Sequence, residues 1–316
     1  MKLLITRPMT PAVESRARAD FDVTIRENTL PMARQEMLAA LADYDVVVPT
    51  LGDQFSAQIF AEAGQPRCKL LANFGVGFNH IDVDAARTAG IDVTNTPGAV
   101  TDATADIAMT LLLITARRAG EGERLVRSGQ WQGWHPTQML GQHVTGKRVG
   151  IVGMGRIGQA IARRCHFGFA MQVAYQSRNA KDLDFPAEFT PDLEALVASV
   201  DFLVLAVPGG AETRHLINAQ ILQAMNPSAI LVNIARGEVV DEAALIAALQ
   251  SGQIAGAGLD VYEFEPKVPR ALCEMENVTL LPHLGTATEE VRSSMGHMAL
   301  DNVAAFVAGE ALPNPV

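Results

Sequence analysis

Apolar residues along this chain fall in short runs, separated by stretches in which they recur every three or four positions. The first runs are KLLITR (2–7), FDVTIR (21–26), YDVVVPT (44–50), KLLANFG (69–75) and IDVTNTP (91–97). They have the length and β-branched content of buried strands. The intervening stretches 11–20, 31–42 and 82–90 have helical spacing. A long Ala/Leu-rich segment, TDATADIAMTLLLITARRAG, predicts a helix over 101–120, with Thr101 or Asp102 capping its start and Gly120 suited to its end. GQWQGWHPTQMLG (129–141) follows, and then a second series of strand-like runs: KRVGIVG (147–153), MQVAYQS (171–177), DFLVLAVP (201–208), AILVNIAR (229–236), IAGAGLDV (254–261) and NVTLLPH (277–283).

Alternating strands and helices imply parallel sheets covered on both faces. Two such series, in 316 residues, predict an α/β protein of two Rossmann-like, doubly wound parallel-sheet domains with the active site in the cleft between them. The last helical stretch, about 287–308, has nothing left to pair with in the second series, so it is expected to return to the first. The expected boundaries are 1–98 plus 288–316 for one domain and 99–287 for the other, with no low-complexity linker between them.

Composition narrows the function. A hydrophobic content of 48% supports sizeable cores, and a net charge of -10 argues against nucleic acid or an anionic membrane as partner. Arg117-Arg118 and Arg163-Arg164 read as solvated helix faces. Three cysteines, Cys68, Cys165 and Cys273, lie in no C-x-x-C spacing and fit a reducing, cytoplasmic setting without a metal site. MKLLITRP carries only a three-residue apolar run, so no signal peptide is expected, and no run is long enough to span a bilayer.

GMGRIG, Gly153 to Gly158, follows the strand-like Arg148–Val152 and leads into the helical pattern GQAIARRC. That context turns a weak motif into a dinucleotide site, formed by Gly153, Met154, Gly155, Arg156, Ile157 and Gly158. At the end of the next strand, where an acidic residue would hold the adenosine ribose, stands QSRN (176–179). Gln176 removes the charge that would repel a 2′-phosphate, Ser177 can donate a hydrogen bond, and Arg178 offers a planar cation. The expected cofactor is therefore NADP(H) in preference to NAD(H), with NAD(H) still possible.

Arg236, Glu265 and His283 stand at or just past the ends of buried strands, where chemistry in open α/β sheets sits. With them the chain closely resembles the D-isomer-specific 2-hydroxyacid dehydrogenase family, in its glyoxylate/hydroxypyruvate reductase branch. The resemblance rests on NFGVGFNHIDV (73–83), NTPGAVTDATADIA (95–108), GKRVGIVGMGRIGQAIA (146–162), LVNIARGEVVDEAAL (231–245), GAGLDVYEFEP (256–266) and LLPHLGTAT (280–288). It implies a flavodoxin-like substrate-binding domain and an NAD(P)-binding domain that includes the dimerisation helix and arm. It further implies a catalytic set of Arg236, Glu265 and His283. In that set His283 would act as general acid, Glu265 would favour and orient the imidazolium, and Arg236 would hold the substrate carboxylate and polarise its carbonyl.

The same resemblance assigns Leu51, the Val76 and Gly77 amides, and Trp134 (or Trp131), reaching from a partner subunit, to substrate binding. It assigns Thr104, Val207, Pro208, Thr213, Ile234, Ala235, Asp260 and Gly285, with Arg236 and His283, to the cofactor, Asp260 holding its carboxamide. Thr286 stands where many relatives carry serine, which retains the hydroxyl. A homodimer acting on a small anionic 2-oxoacid is the expectation. Other members acting on pyruvate, phenylpyruvate or phosphoglycerate are the alternative, although many phosphoglycerate dehydrogenases carry a C-terminal regulatory domain and this sequence ends soon after its last helical pattern. A nucleotide-sensing corepressor scaffold is a more distant possibility, disfavoured by the intact catalytic set.

Overall fold

In the computed structural model, which describes residues 1–316, the chain divides into two compact units. One is Met1–Val100 with Thr286–Val316, and the other is Thr101–Gly285. The first holds β1 (Lys2–Ile5), β2 (Asp22–Ile25), β3 (Val46–Val48), β4 (Leu70–Ala72) and β5 (Asp92–Thr94) in the order β2-β1-β3-β4-β5, all pairs parallel. Successive residues of one strand point to opposite faces. Thus Leu3 and Ile5 join a core that includes Ala299, Leu300 and Val303 of the helix Glu289–Ala308, while Leu4 joins one that includes Leu41, Phe55 and Phe60. The C-terminal helix therefore belongs to the first sheet.

The second unit contains β6 (Arg148–Val152), β7 (Gln172–Gln176), β8 (Ala187–Phe189), β9 (Phe202–Leu205), β10 (Ile230–Asn233), β11 (Gly256–Leu259) and β12 (Val278–Leu280). Their order is β12-β11-β10-β9-β6-β7-β8, again wholly parallel. The order reverses between β6 and β9. At such a point the connections leave toward opposite sides and open a crevice at the carboxyl ends of the strands. The helix Thr101–Ala116 covers one face through Leu111 and Leu112, both fully buried.

That helix does not run to Gly120. It ends at Ala116, whose carbonyl accepts the Gln142 amide at 2.7 Å in place of a bond from the next turn. Arg118 then turns the chain with φ of 52°, its guanidinium held by Glu121. Gly120 lies inside a following helix, Ala119–Arg127. This second helix buries none of its residues, and beyond it Trp131 and Leu140 are exposed and Trp134 is 79% exposed. The arginine pair 163–164 lies on a solvent-reached helix face, where Arg163 pairs with Asp184, and Arg164 with Asp102 and Asp106. The helix Ala57–Ala63 and the edge strand β8 are additions that the hydrophobic pattern did not suggest. No helix is long and apolar enough to cross a membrane.

Candidate active site

The glycine loop leaves β6 beside the reversal point. Gly153 has φ of 98°, and a Cβ there would lie 2.6 Å from the Ala206 carbonyl oxygen. A Cβ on Gly158 would lie 2.0 Å from the carbonyl oxygen of Gly153, so the loop is wound tightly onto its own helix. Gly155, by contrast, has nothing within 4 Å of such an atom. The loop is thus closed behind and open in front, and Gly155 caps the helix Arg156–Arg163 without any side chain on its first amides. That open, amide-lined face fits a pyrophosphate, with the helix dipole adding attraction for the anion. Met154 is buried beneath it, while Arg156 is exposed.

β7 ends at Gln176, which is half-buried. Arg178 is exposed and enters no ion pair. Ser177 Oγ donates to the Asn179 carbonyl at 2.6 Å. Beyond β9, Val207 and Pro208 follow the strand, and Thr213 Oγ1 donates to the Pro208 carbonyl at 2.7 Å.

The three candidate catalytic residues follow β10, β11 and β12. His283 Nδ1 and Glu265 Oε2 are 2.9 Å apart, each side chain 30% exposed. Glu265 Oε1 accepts the Tyr262 amide at 3.0 Å. Burial would raise the Glu265 carboxyl, but the His283 hydrogen bond and charge, the Tyr262 amide and the Arg236 charge outweigh it and hold it below the ordinary carboxylate range. The carboxylate therefore remains ionised further into acid than a free one. Arg236 lies deep enough that burial works against its cation and lowers its pKa, although Glu265 and Glu238 oppose the shift. Its Nη1 donates to the Ala235 carbonyl at 2.7 Å. A desolvated guanidinium beside a histidine–carboxylate pair suits a bidentate carboxylate ligand.

His283 has φ of 55°, a left-handed backbone that is unusual for a residue with a side chain. Asp260 secures it. The Asp260 carbonyl accepts the His283 amide at 3.0 Å, and its two carboxylate oxygens accept the amides of Leu284 (2.6 Å) and Gly285 (2.8 Å). Thr104 Oγ1 donates to the Gly285 carbonyl at 3.2 Å. Asp260, expected to face a carboxamide, also holds the histidine loop, and burial raises its pKa despite those amides.

In the first unit, Leu51 and Val76 are exposed apolar residues. Arg7 Nη1 donates to the Leu51 carbonyl at 2.7 Å, and fully buried Asp53 accepts from the amides of Thr50 and Met32 and pairs with Arg7. The carbonyls of Gly75 and Gly77 both accept Asn73 Nδ2, at 3.0 Å each, and that of Val76 accepts Asn95 Nδ2 at 2.9 Å. The loop's carbonyls are turned to these asparagines, and the Val76 and Gly77 amides take part in none of these bonds.

Three residues near the catalytic set escaped the sequence reading. Asn233 is buried, bridging the Ala235 amide and the Arg236 carbonyl at 3.0 Å each, and so shapes the turn that carries Arg236. An asparagine at a strand end before a turn was the available signal. Glu238 accepts the Gly210 amide at 3.0 Å. Gly237 lies against the next loop so closely that a Cβ would fall 1.8 Å from the Tyr262 carbonyl carbon and 2.3 Å from the Glu263 nitrogen.

Comparison with known proteins gives one family. Residues 109–285 match the model of the D-isomer specific 2-hydroxyacid dehydrogenase NAD binding domain. A glyoxylate reductase of Thermococcus onnurineus is 45% identical over the whole of this chain and 95% of its own length. A glycerate dehydrogenase of Hyphomicrobium methylovorum is 36% identical over 98% of this chain and 96% of its own. Among solved structures, an NADPH-dependent glyoxylate/hydroxypyruvate reductase from Sinorhizobium meliloti, in complex with NADP and malonate, superimposes with a TM-score of 0.89 at 36% identity, covering all of this chain and 96% of the other.

Proposed function

The chain belongs to the D-isomer-specific 2-hydroxyacid dehydrogenase family, and from that premise we propose that it reduces small 2-oxoacids, glyoxylate and hydroxypyruvate among them, with NADPH preferred over NADH. The observation that carries the reading is the His283–Glu265 pair at 2.9 Å, with the Arg236 charge acting on the same carboxylate. Its relatives' named activities support the substrate class.

The bound nicotinamide would supply a hydride to the carbonyl carbon. The chain's own residues manage charge and protons. Glu265 holds His283 through Nδ1, leaving Nε2 to give its proton to the carbonyl oxygen as negative charge develops there. Arg236 binds the substrate carboxylate and polarises the carbonyl, and Glu238 and Asn233 brace the turn that presents it. Hydride on carbon and proton on oxygen give the 2-hydroxyacid. Leu51, Val76 and Gly77 are proposed as further substrate-binding residues. A homodimer is part of the proposal, supported by the helix Ala119–Arg127, which buries none of its residues, and the exposed Trp131, Trp134 and Leu140, with Trp134 the candidate to act across it. Three thiols, none in a disulfide, support a reducing, cytoplasmic setting.

The deciding experiment is a panel of glyoxylate, hydroxypyruvate, pyruvate and phenylpyruvate, each with NADPH and NADH. Consumption of NADPH with glyoxylate or hydroxypyruvate is expected; no turnover of either at millimolar concentration would refute the assignment. The cofactor preference has its own check. Arg178→Ala should raise the KM for NADPH by about 10- to 100-fold, as expected for a lost charged hydrogen bond, while leaving the KM for NADH within a few-fold. Equal effects on both cofactors would remove Arg178 from the phosphate site.

A further inference from the structure

The loop that carries Glu265 brings a second carboxylate to a second histidine. His215 Nε2 lies 2.8 Å from Glu263 Oε1, and the same oxygen accepts Arg214 Nη2 at 3.1 Å. The Glu263 side chain is only 7% exposed, whereas His215 and Arg214 are reached by solvent. Glu263 and Glu265 are two residues apart, so one short loop meets His215 on one side and His283 on the other.

The surroundings tie this second pair to the catalytic set. The Glu263 nitrogen and the Tyr262 carbonyl are the atoms against which Gly237, the residue after Arg236, is pressed. The His215 amide donates to the Glu238 carbonyl at 2.7 Å, just beyond that glycine. The amide of Tyr262, next to Glu263, donates to Glu265 Oε1. His215 has φ of 50°, so both histidines that meet this loop belong to the five non-glycine residues of the chain with positive φ. Such strain persists only where surrounding contacts enforce it. The other charged group packed here is Glu242, whose Oε2 accepts the Glu263 amide at 3.4 Å.

We propose that His215 and Glu263 form a positioning pair that fixes the 262–265 loop against the Arg236 turn, and so sets the separation of Glu265 and His283 from Arg236. The proposal rests on the reductase reading above. His215 does not touch the reacting atoms; its effect passes through the backbone of Tyr262, Glu263 and Gly237. Because Arg214 keeps a positive charge on Glu263 when His215 is removed, the loss is one of orientation and not of charge balance.

The test compares the full-length wild type with His215→Ala, His215→Gln and His215→Asn, measuring kcat with glyoxylate, NADPH affinity by fluorescence and Tm. His215→Ala should lower kcat by about 10- to 100-fold, the scale of a sub-ångström misplacement, with NADPH affinity within about two-fold. Gln, whose amide nitrogen reaches the place of Nε2, should restore most of the rate. Asn, a methylene shorter, should behave like Ala and replaces it in the comparison if Ala folds poorly. A kcat within about two-fold of wild type in Ala or Asn, or no recovery with Gln, would overturn the proposal. Wild-type protein that turned over no 2-oxoacid would instead remove the reading beneath it, and the positioning role with it.

Discussion

His283→Ala is expected to lower turnover of glyoxylate by about 10²- to 10⁴-fold, the range for loss of a general acid, while NADPH affinity stays close to that of the wild type. The separation of the two effects follows from the geometry. His283 meets Glu265 through Nδ1, and its remaining nitrogen is the one proposed to act on substrate. The glycine loop that would cradle the pyrophosphate follows a different strand and makes no use of the imidazole. Steady-state rates with a parallel fluorescence titration of NADPH check the prediction. An equal loss of rate and cofactor affinity would mean that His283 supports the site as a whole and has no special part in proton transfer.

Gly237→Ala should be nearly as damaging, for a reason unrelated to chemistry at its own position. A methyl group there cannot coexist with a carbonyl carbon 1.8 Å away, and because the atoms it would meet are all backbone, of the Tyr262–Glu263 peptide, no flexible side chain can move aside. The Arg236 turn and the 262–265 loop must separate. Overpacking of this kind costs about 1–3 kcal/mol and occasionally more, and an ångström of displacement at a catalytic group costs on the order of 10²-fold in rate. The expected result is a lower denaturant midpoint together with a fall in kcat/KM of at least about 10²-fold. Gly168→Ala is the control, since its added Cβ meets nothing within 4 Å; it should leave both quantities near wild type. If Gly237→Ala behaved like the control, the close approach of the two loops would not matter to activity.

Much of the fold was legible because its strands are short, continuous and apolar. β3 is three valines buried on both faces, and the six main strands of the second series all appear where the apolar runs lie. Gly120 was misread because glycine suits a helix end in general, whereas here a distant residue, Gln142, supplies the amide that ends the helix. Ala187–Phe189 was missed because Ala-Glu-Phe is no continuous apolar run, and Ala57–Ala63 because it buries only the adjacent Ile59 and Phe60 and so shows no helical spacing. In the site, strand-end position picked out Glu265 and His283, which are 18 residues apart in sequence and hydrogen-bonded in space. His215–Glu263 left no comparable trace. It joins residues 48 apart in two irregular loops, and its register depends on a backbone contact at Gly237 that no local pattern encodes.

The left-handed backbone at His283 bears on when the enzyme's organisation is established. A side-chain-bearing residue at φ of 55° sits about 1 kcal/mol or more above its relaxed conformations. Asp260 offsets that tension with three hydrogen bonds, from the amides of His283, Leu284 and Gly285. The uphill step of aiming the imidazole is therefore completed once, as the chain folds, and does not recur in each catalytic cycle. Ageing or heating that loosens the Asp260 clamp would let the histidine relax toward ordinary backbone angles, so inactivation would begin as a local slackening while both sheets are still intact.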